Sequence, residues 1–256
     1  MLDEDRANMD RLADRLRERL ERTGYAARYR LADLSYAVGV ATPTRTVAGA
    51  YWSYEPTNAH GDDPGLAALD ALADDATVLD VGAHVGEYAV PLARGTGRRV
   101  VAFEPDPLSA ARLGRTVARN GVRDRVDVRR VAVGATDGTR PFYRSSFSKL
   151  SSLDPAHAGA WGATVEAVET VPVRRIDDLV GESVPAPDGI KIDVEGAADA
   201  VLRGAERTIE SHRPLLVVER HPDDRRASIR ERLTDRGYAI EPAADAWICR
   251  PETADG

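Results

Sequence analysis

Short apolar runs alternate with helical patterns along most of the chain, from Thr77 onwards. The runs are rich in β-branched residues and are separated by turn residues, which is typical of buried strands. This alternation of strands and helices predicts a parallel sheet with helices on both faces, and so an α/β fold. The predicted strands cover residues 77–81, 99–104, 126–131, 189–193 and 214–219.

Further segments complete this prediction. The run 107–120, followed by Gly121, predicts a helix with a glycine stop. A second long helix is predicted over 197–211, after the strand at 189–193. Asp137-Gly138 predicts a tight hairpin turn, and residues 171–176 predict an edge strand. The last two runs, 238–240 and 246–249, predict an antiparallel hairpin at the edge of the sheet.

The first 60 residues follow a different pattern. Residues 3–22 carry a narrow apolar stripe of Met9, Leu12, Leu16 and Leu20, which predicts a helix. We expect this helix to dock on the main domain; a homodimer through it is the alternative. Residues 29–55 contain short β-like runs at 36–40 and 45–52, separated by Thr-Pro-Thr, and predict a hairpin or lid. The predicted division is an extension over 1–60, a main domain over 61–250 and a tail over 251–256.

A glycine turn follows the strand at 77–81, in the string Asp80-Val-Gly82-Ala-His-Val-Gly86. Glycine permits a positive φ and leaves room for a close approach of the backbone. A strand, a glycine turn and a helix together present backbone N–H groups to a nucleotide-like ligand. Glu104, which is 22 residues after Gly82, ends the next strand, where a carboxylate can accept hydrogen bonds from ribose hydroxyls.

The glycine spacing discriminates between two cofactors. A dinucleotide fingerprint that starts at Gly82 requires glycine at positions 84 and 87, where this chain has His84 and Glu87. The Glu87 carboxylate would also meet a pyrophosphate, so NAD and a dehydrogenase are disfavoured. The pattern Asp80-x-Gly82-x-x-x-Gly86 resembles motif I of class I S-adenosylmethionine (SAM) methyltransferases. SAM carries no phosphate, and a carboxylate such as Asp80 suits its positively charged end.

A second group of polar residues follows the later strands. Lys191, Asp193 and Glu195 end the strand at 189–193, and Glu219 and His221 end the strand at 214–219. Ligands of open α/β sheets bind at this rim, so these residues are candidates for catalysis. Lys191 and Asp193 should share one face, because side chains alternate along a strand. The serine-rich stretch 145–153 is either a solvated loop or a loop over the active site.

Composition narrows the range of partners. The chain of 256 residues has a net charge of −7, which argues against nucleic acid as its partner. No apolar run approaches 18 residues and the N-terminus is charged, so we expect no membrane span and a cytoplasmic protein. Cys249 is the only cysteine, which excludes an internal disulfide. Lys149 and Lys191 are the only lysines.

Several strings together resemble the FkbM-type family of SAM-dependent methyltransferases. The resemblance covers roughly residues 50–249, and Lys191-Ile-Asp-Val-Glu-Gly196 is its most specific string. His84 stands where the family commonly has asparagine, and Ala198 stands where it commonly has glutamate. The other strings are Tyr54-Glu-Pro, Val78-Leu-Asp-Val-Gly-Ala-His-Val-Gly-Glu-Tyr, Val101-Ala-Phe-Glu-Pro-Asp, Val131-Ala-Val-Gly, Ser151-Ser-Leu, Val173-Arg-Arg-Ile-Asp-Asp-Leu and Arg213-Pro-Leu-Leu-Val-Val-Glu.

The resemblance implies a Rossmann-like, doubly wound, mostly parallel seven-stranded sheet. It also implies S-adenosyl-L-methionine as the cofactor and O-methylation of a hydroxyl on a sugar, glycan or natural-product-like small molecule. Asp193 and Glu195 are the predicted catalytic residues, one of which orients the acceptor or acts as the base. The predicted cofactor-binding residues are Asp80, Gly82, His84, Gly86, Glu104, Ala132 and Val133, with Glu104 on the ribose and Ala132 and Val133 beside the adenine.

Two other functions stay open beside the methyltransferase. The chain could be a non-catalytic SAM-binding or scaffold protein, or an RNA methyltransferase, for which the acidic balance is unfavourable. We assign no metal ligands from the sequence. A divalent cation held by the oxygens of Asp193, Glu195 and Glu219 is the minor alternative.

Overall fold

The computed structural model describes residues 23–24, 26–58, 60–221 and 225–252. The predicted helix at 3–22, with its docking or dimerisation, lies outside the described residues, as do residues 253–256 of the predicted tail. Within the described part, helix α1 covers residues 26–38. None of the helices in these ranges combines the length and the apolar character that crossing a bilayer requires.

A seven-stranded sheet forms the centre of the molecule. In spatial order its strands are β11 (Tyr238–Ala243), β12 (Ala246–Pro251), β10 (Leu215–Glu219), β9 (Gly189–Ile192), β3 (Thr77–Val81), β4 (Arg99–Phe103) and β5 (Val126–Arg129). The strands from β10 to β5 are parallel, and β12 pairs antiparallel with both β10 and β11. The mostly parallel sheet and its antiparallel edge hairpin are therefore confirmed.

Helices cover both faces of this sheet. Neighbouring residues of a strand point to opposite faces, so Val78 joins the apolar core on one side and Leu79 the core on the other. One face is covered by α2 (Pro64–Asp70), α3 (Ala89–Ala93) and α4 (Pro107–Asn120). The other face is covered by α7 (Ala198–Arg203), α8 (Glu206–His212) and α9 (Arg226–Thr234). The predicted doubly wound architecture is confirmed.

Helix α4 shows how local sequence sets an element. The Asp106 carboxylate accepts the N–H groups of Leu108 and Ser109, and Pro107 occupies the first helical position. Gly121 ends the helix with a φ of 67°, in the left-handed region that favours glycine. These signals are all local, and the helix has the bounds that the sequence predicts.

The hairpin at the N-terminal end is correct in kind but wrong in position. Residues 36–38, predicted as β, belong to α1, and the Thr-Pro-Thr string lies inside β1 (Thr42–Thr46), not between two strands. Strand β1 pairs with β2 (Gly49–Ser53) around a turn at residues 47–48. The helix prevails because Tyr36 stacks on Tyr54, with the ring centroids 4.8 Å apart.

A small second sheet corrects two predictions. Its strands β6 (Ala132–Val133), β7 (Gly138–Ser145) and β8 (Val165–Arg174) lie in the order β6-β8-β7. The strand predicted at 171–176 is present as the end of β8, but it stops at Arg174, and its predicted edge position is wrong because β8 is central. Asp137-Gly138 does not close a hairpin, since β6 and β7 are not neighbours. The Asp137 carboxylate instead accepts hydrogen bonds from the backbone N–H of Arg175 and from Arg174 Nε.

The single helix predicted over 197–211 is broken into α7 and α8. At the break, Gly204 packs so closely on the backbone that a Cβ there would lie 2.0 Å from the carbonyl oxygen of Gly134. The short helix α6 (Ile176–Leu179) is fixed at the same place, because the Asp177 N–H donates to the Gly204 carbonyl. The break thus joins the second sheet to the main one.

The remaining α-helix of the described part is α5 (Pro155–Ala158).

The N-terminal extension docks on α4. Asn120 accepts the Trp52 N–H at 2.7 Å and donates to the Trp52 carbonyl at 2.8 Å, as a neighbouring strand would. The Arg119 guanidinium stacks over the Trp52 ring, 4.4 Å from its centroid. These contacts fix the end of β2 on the C-terminal end of α4, although the domain boundary at residue 60 stays a prediction.

Candidate active site

A cleft of about 680 Å³ opens at the carboxyl ends of β3, β4, β9 and β10. This volume is in the range of small-molecule sites, and the position is the rim where open α/β sheets bind ligands. Asp80 and Gly86 lie behind the cleft and do not line it. The predicted site residues that line it are Gly82, His84, Glu104, Ala132, Val133, Asp193 and Glu195.

The two glycines of the turn after β3 are required by the protein's own packing. Gly82 has a φ of 81°, and a Cβ there would lie 1.8 Å from the carbonyl oxygen of Asp193. Gly86 has a φ of 92°, and its Cβ would lie 2.5 Å from a side-chain carbon of Leu113. The close approach expected from the sequence is therefore an approach to β9 and α4, which shapes the wall of the cleft.

Asp80 supports this wall from inside the core. One carboxylate oxygen accepts the Ala89 N–H at 3.1 Å, and the other lies 3.5 Å from the Lys191 ammonium. Burial raises the pKa of Asp80, although the charge of Lys191 opposes the rise. Asp80 thus holds the start of α3 and one cation of the cleft, and it does not face the cleft itself.

Glu104 lies on the floor of the cleft. Its two carboxylate oxygens accept the N–H of His84 at 2.7 Å and the N–H of Asp106 at 2.8 Å. Burial raises its pKa to about 8 despite these two hydrogen bonds. The carboxylate joins the end of β4 to the glycine turn.

His84 links the glycine turn to the serine-rich segment. Its φ is 46°, and its Nε2 lies 2.8 Å from the Ser148 hydroxyl. Burial and the charge of Lys149 lower its pKa to about 3, so the imidazole is neutral. Ser151 and Ser152 line the cleft with Ser148, and of the two interpretations left open by the sequence this placement supports the loop over the site.

Glu87 and Lys149 form an ion pair that sequence reasoning missed. The Lys149 ammonium lies 2.7 Å from a Glu87 oxygen, and His60 Nε2 lies 3.8 Å from the same oxygen. Burial opposes the ionisation of Glu87, but Lys149 and His60 outweigh it and lower its pKa to about 2. The one signal in the sequence was the rarity of lysine, since both lysines of the chain line the cleft.

Four charged side chains meet at the ends of β9 and β10. Lys191 Nζ lies 3.0 Å from Asp193 Oδ2, which confirms that the two share a face. His221 bridges two carboxylates, with Nε2 3.1 Å from Asp193 Oδ1 and Nδ1 3.1 Å from Glu195 Oε2. The structure therefore brings both predicted catalytic carboxylates together through one imidazole.

This group has strongly shifted pKa values. Burial opposes the ionisation of Asp193, but Lys191 and His221 outweigh it and hold its pKa well below the usual range. Burial would lower the pKa of His221, but its hydrogen bonds to Asp193 and Glu195 raise it to about 11. Burial and the neighbouring Asp193 raise the pKa of Glu219 to about 7. Asp193 is consequently a weak base and a strong hydrogen-bond acceptor.

The remaining walls come from β6 and from the N-terminal extension. Ala132 and Val133 are buried and form a small apolar wall of the cleft. On the other side, Tyr29 of α1 stacks on Phe147, with the ring centroids 5.2 Å apart. Glu55, just after β2, also lines the cleft, and burial raises its pKa to about 7. The extension thus forms part of the cleft mouth.

A glycine turn after the first strand of the main sheet, an acidic end on the next strand and a cleft at the rim are features of a Rossmann-like α/β fold that binds a nucleoside-containing cofactor. The family model described as the methyltransferase FkbM domain matches residues 80–240. The chain belongs to this family, and it is a methyltransferase, as the sequence predicts.

Two curated relatives and one solved structure are similar to the chain. Methyltransferase sdnD of Sordaria araneosa is 26% identical over 199 residues, which are 66% of this chain and 76% of the relative. Hexuronic acid methyltransferase AglP of Haloferax volcanii is 31% identical over 158 residues, which are 60% of this chain and 59% of the relative. The crystal structure of methyltransferase FkbM from Methylobacillus flagellatus matches with a TM-score of 0.52 and 23% identity. That match covers 70% of this chain and 44% of the other, and it shows a shared fold.

Proposed function

We propose that the protein transfers a methyl group from S-adenosyl-L-methionine to a hydroxyl of a sugar, glycan or natural-product-like small molecule. The observation that carries this proposal is the cleft that Glu104, Asp193 and Glu195 line together, with His221 bridging the last two carboxylates. The similarity to a hexuronic acid methyltransferase supports a sugar acceptor. The net charge of −7 supports a small acceptor over nucleic acid.

The residues of the cleft fit this cofactor. Glu104 is a buried carboxylate at the floor, suited to accept hydrogen bonds from two ribose hydroxyls. Ala132 and Val133 provide a flat apolar wall for the adenine, and Gly82 and His84 contribute the backbone of the glycine turn. Asp80 and Gly86 do not line the cleft: Asp80 holds Lys191 in place, and Gly86 packs on α4. When bound, the cofactor supplies the methyl group on its sulfonium.

The acceptor hydroxyl must lie in line behind this methyl group, at about 3 Å. Asp193, kept ionised by Lys191 and His221, accepts the hydrogen bond of the hydroxyl and orients its oxygen. Glu195 fixes the ring of His221 and so holds Asp193 in place. Positioning dominates in this arrangement, because a carboxylate of depressed pKa is a weak base. The hydroxyl proton passes to Asp193 only late, as the C–O bond forms and the methyl–sulfur bond breaks, and is then lost to solvent.

Calorimetry with SAM and with S-adenosylhomocysteine tests the cofactor. We expect binding of both, and a Glu104→Gln variant should bind about 10-fold to 100-fold more weakly, since a charged acceptor of two hydroxyls is lost. Glu182→Gln, at an exposed carboxylate paired with Arg174, is the matched control. No heat with either ligand would overturn the assignment.

Turnover separates the enzyme from a non-catalytic SAM-binding protein. Asp193→Asn and Glu195→Gln should retain the affinity for S-adenosylhomocysteine and lose methyl transfer to a panel of hydroxylated acceptors, among them uronic acid glycosides. If transfer persists at the wild-type rate in both variants, the roles of these carboxylates are wrong. If the wild-type protein binds SAM and methylates none of the panel, the binding protein is favoured.

A further inference from the structure

We propose that Asp193, Glu219 and His221 form a divalent-cation site at the margin of the cleft, which Asp193 and Glu219 line, and that the ion holds the methyl acceptor through two oxygens. The three side chains come from the ends of two neighbouring strands, β9 and β10. One ligand atom from each lies within 4.8 Å of the others. The ligand set differs from the one that the sequence offered, because His221 takes the place of Glu195.

The separation between the Asp193 and His221 ligand atoms fits two ligands of one ion, and Glu219 would have to move towards them. His221 Nε2 lies 3.1 Å from Asp193 Oδ1. Two ligands that are each about 2.1 Å from an ion, at an angle of about 90°, lie about 3 Å apart. The side chains of Asp193 and His221 therefore need little movement to bind a common cation.

The partner of the second ring nitrogen is an independent indication. His221 Nδ1 lies 3.1 Å from Glu195 Oε2, so Nδ1–H donates to a carboxylate. Metal-binding histidines almost always donate their other N–H in this way, which fixes the ring and the tautomer. With Nδ1 protonated, the ion takes the place of any proton on Nε2. Glu195 is thereby a positioning residue of the site.

The charges around the group also favour a cation. The carboxylates of Asp193, Glu195 and Glu219 face one ammonium group, that of Lys191. Once the ion replaces the Nε2 proton, the imidazole is neutral, and these four groups then carry two net negative charges, which a divalent ion cancels. Lys191 is held on the far side of Asp193, at Oδ2, while His221 approaches Oδ1. The ammonium and the ion can therefore share one carboxylate.

The ligand types indicate which ion and which acceptor. One imidazole and two carboxylates suit Mn²⁺, Fe²⁺ or Zn²⁺ better than Ca²⁺. Three protein ligands leave positions for two acceptor oxygens, so the acceptor class is a vicinal diol or a hydroxy acid. The ion would act as a Lewis acid and lower the pKa of the hydroxyl to be methylated. This role rests on the proposed function, whereas the binding of the ion does not.

Titration of the metal-stripped full chain with Mn²⁺, without SAM or acceptor, tests the site. We expect one Mn²⁺ per chain by calorimetry, with the bound ion also visible by electron paramagnetic resonance. Glu219→Gln should weaken binding by more than 10-fold, and Glu195→Gln by about 10-fold to 100-fold through the loss of its hold on His221. Glu182→Gln, an exposed carboxylate away from the cleft, should bind as the wild type does.

Thermal unfolding followed by circular dichroism confirms that each variant is folded. The same measurement gives a second test of binding, because Mn²⁺ should raise the melting temperature of the wild type more than that of Glu219→Gln. Absence of binding at millimolar Mn²⁺, or equal affinity in the wild type and both site variants, would overturn the site. Methyl transfer at the full rate in excess chelator would overturn the role of the ion in the reaction. Mn²⁺ binding without any SAM binding would leave the site intact and refute the proposed function instead.

Discussion

The ammonium group of Lys149 lies 2.7 Å from Oε2 of Glu87, and this ion pair joins the segment between β7 and β8 to the turn after β3. The two partners are unequal, since the Glu87 side chain is 8% exposed and the Lys149 side chain 42%. Most of the desolvation cost therefore falls on Glu87, which depends on Lys149 for compensation. A segment of the small sheet is thus held against the main sheet by charge.

Replacing Lys149 should reveal this dependence. We expect Lys149→Met to lower the free energy of unfolding by about 1–3 kcal/mol, because it leaves a buried carboxylate without its charged partner. Denaturant unfolding at pH 7 measures the change. The double variant with Glu87→Gln should recover part of the loss, since it removes the uncompensated charge. Equal stability of the single variant and the wild type would show that the pair is replaced by solvent.

The glycine turn gives a prediction with an internal control. Gly82→Ala should destabilise the fold by about 2–5 kcal/mol, because it combines a left-handed φ with a Cβ 1.8 Å from the Asp193 carbonyl. Gly114→Ala, inside α4, meets no atom within 4 Å and should stabilise the fold by about 0.5–1 kcal/mol. Thermal or denaturant unfolding of the two variants compares them directly, and effects of the same sign would contradict the packing argument.

Glu104 predicts a pH dependence of stability. The pKa of Glu104 rises from 4.5 to about 8 on folding. Between pH 4.5 and pH 8, the carboxyl group is therefore protonated in the folded state and ionised in the unfolded state. The contribution of Glu104 to stability is therefore greatest below pH 4.5 and declines as the pH rises towards 8, by at most about 1.4 kcal/mol per unit. Glu104→Gln lacks this titration. The unfolding free energy of the variant minus that of the wild type should therefore increase as the pH rises from 4.5 to about 8, and should stay constant above pH 8.

The same carboxyl group should make cofactor binding depend on pH. Ribose hydroxyls donate to an ionised carboxylate, so the affinity for S-adenosylhomocysteine should increase as the pH approaches 8. Calorimetry at several pH values measures it. The increase should be absent in Glu104→Gln, which also corrects for titration of the ligand. A parallel increase in the variant would assign the effect to another group.

Asn120 should anchor the N-terminal extension. Asn120→Ala removes both hydrogen bonds to the Trp52 backbone, and we expect a loss of about 1–2 kcal/mol in unfolding free energy. Asn120→Asp retains the acceptor for the Trp52 N–H but sets a carboxylate oxygen against the Trp52 carbonyl, and should lose at least as much. Limited proteolysis would show whether cleavage increases near β2. Unchanged stability in both variants would mean that other contacts, such as the stacking of Arg119 on Trp52, hold the extension.

The sequence predicts the main sheet well because its signals are local. The strand at 77–81 and the helix at 107–120 have the predicted bounds, since a β-branched run and a capped helix are each decided within a few residues. The central position of β8 was not predictable in this way, because it depends on pairing with both β6 and β7. The break at Gly204 also depends on a distant backbone, that of Gly134.

The candidate site shows the same division. The polar rim residues were found because the ends of parallel strands meet at one edge of the sheet. The pairing of Glu87 with Lys149 spans 62 positions in the sequence, and no local pattern indicates it. The bridging role of His221 depends on how its ring is oriented between two carboxylates, which spacing alone cannot give. The roles of the individual residues in binding and catalysis stay predictions.

Both lysines of this arginine-rich protein line the cleft, one at each side of the glycine turn. Guanidinium groups do not react with reagents that acylate amines, so the side-chain targets of such a reagent are confined to the cleft. Lys149 is the more accessible of the two, since the Lys191 side chain is 6% exposed. Because the charge of Glu87 outweighs burial and raises the pKa of Lys149, acylation of this amine requires the ion pair to open, so the rate of acylation would report how often the segment between β7 and β8 separates from the turn after β3.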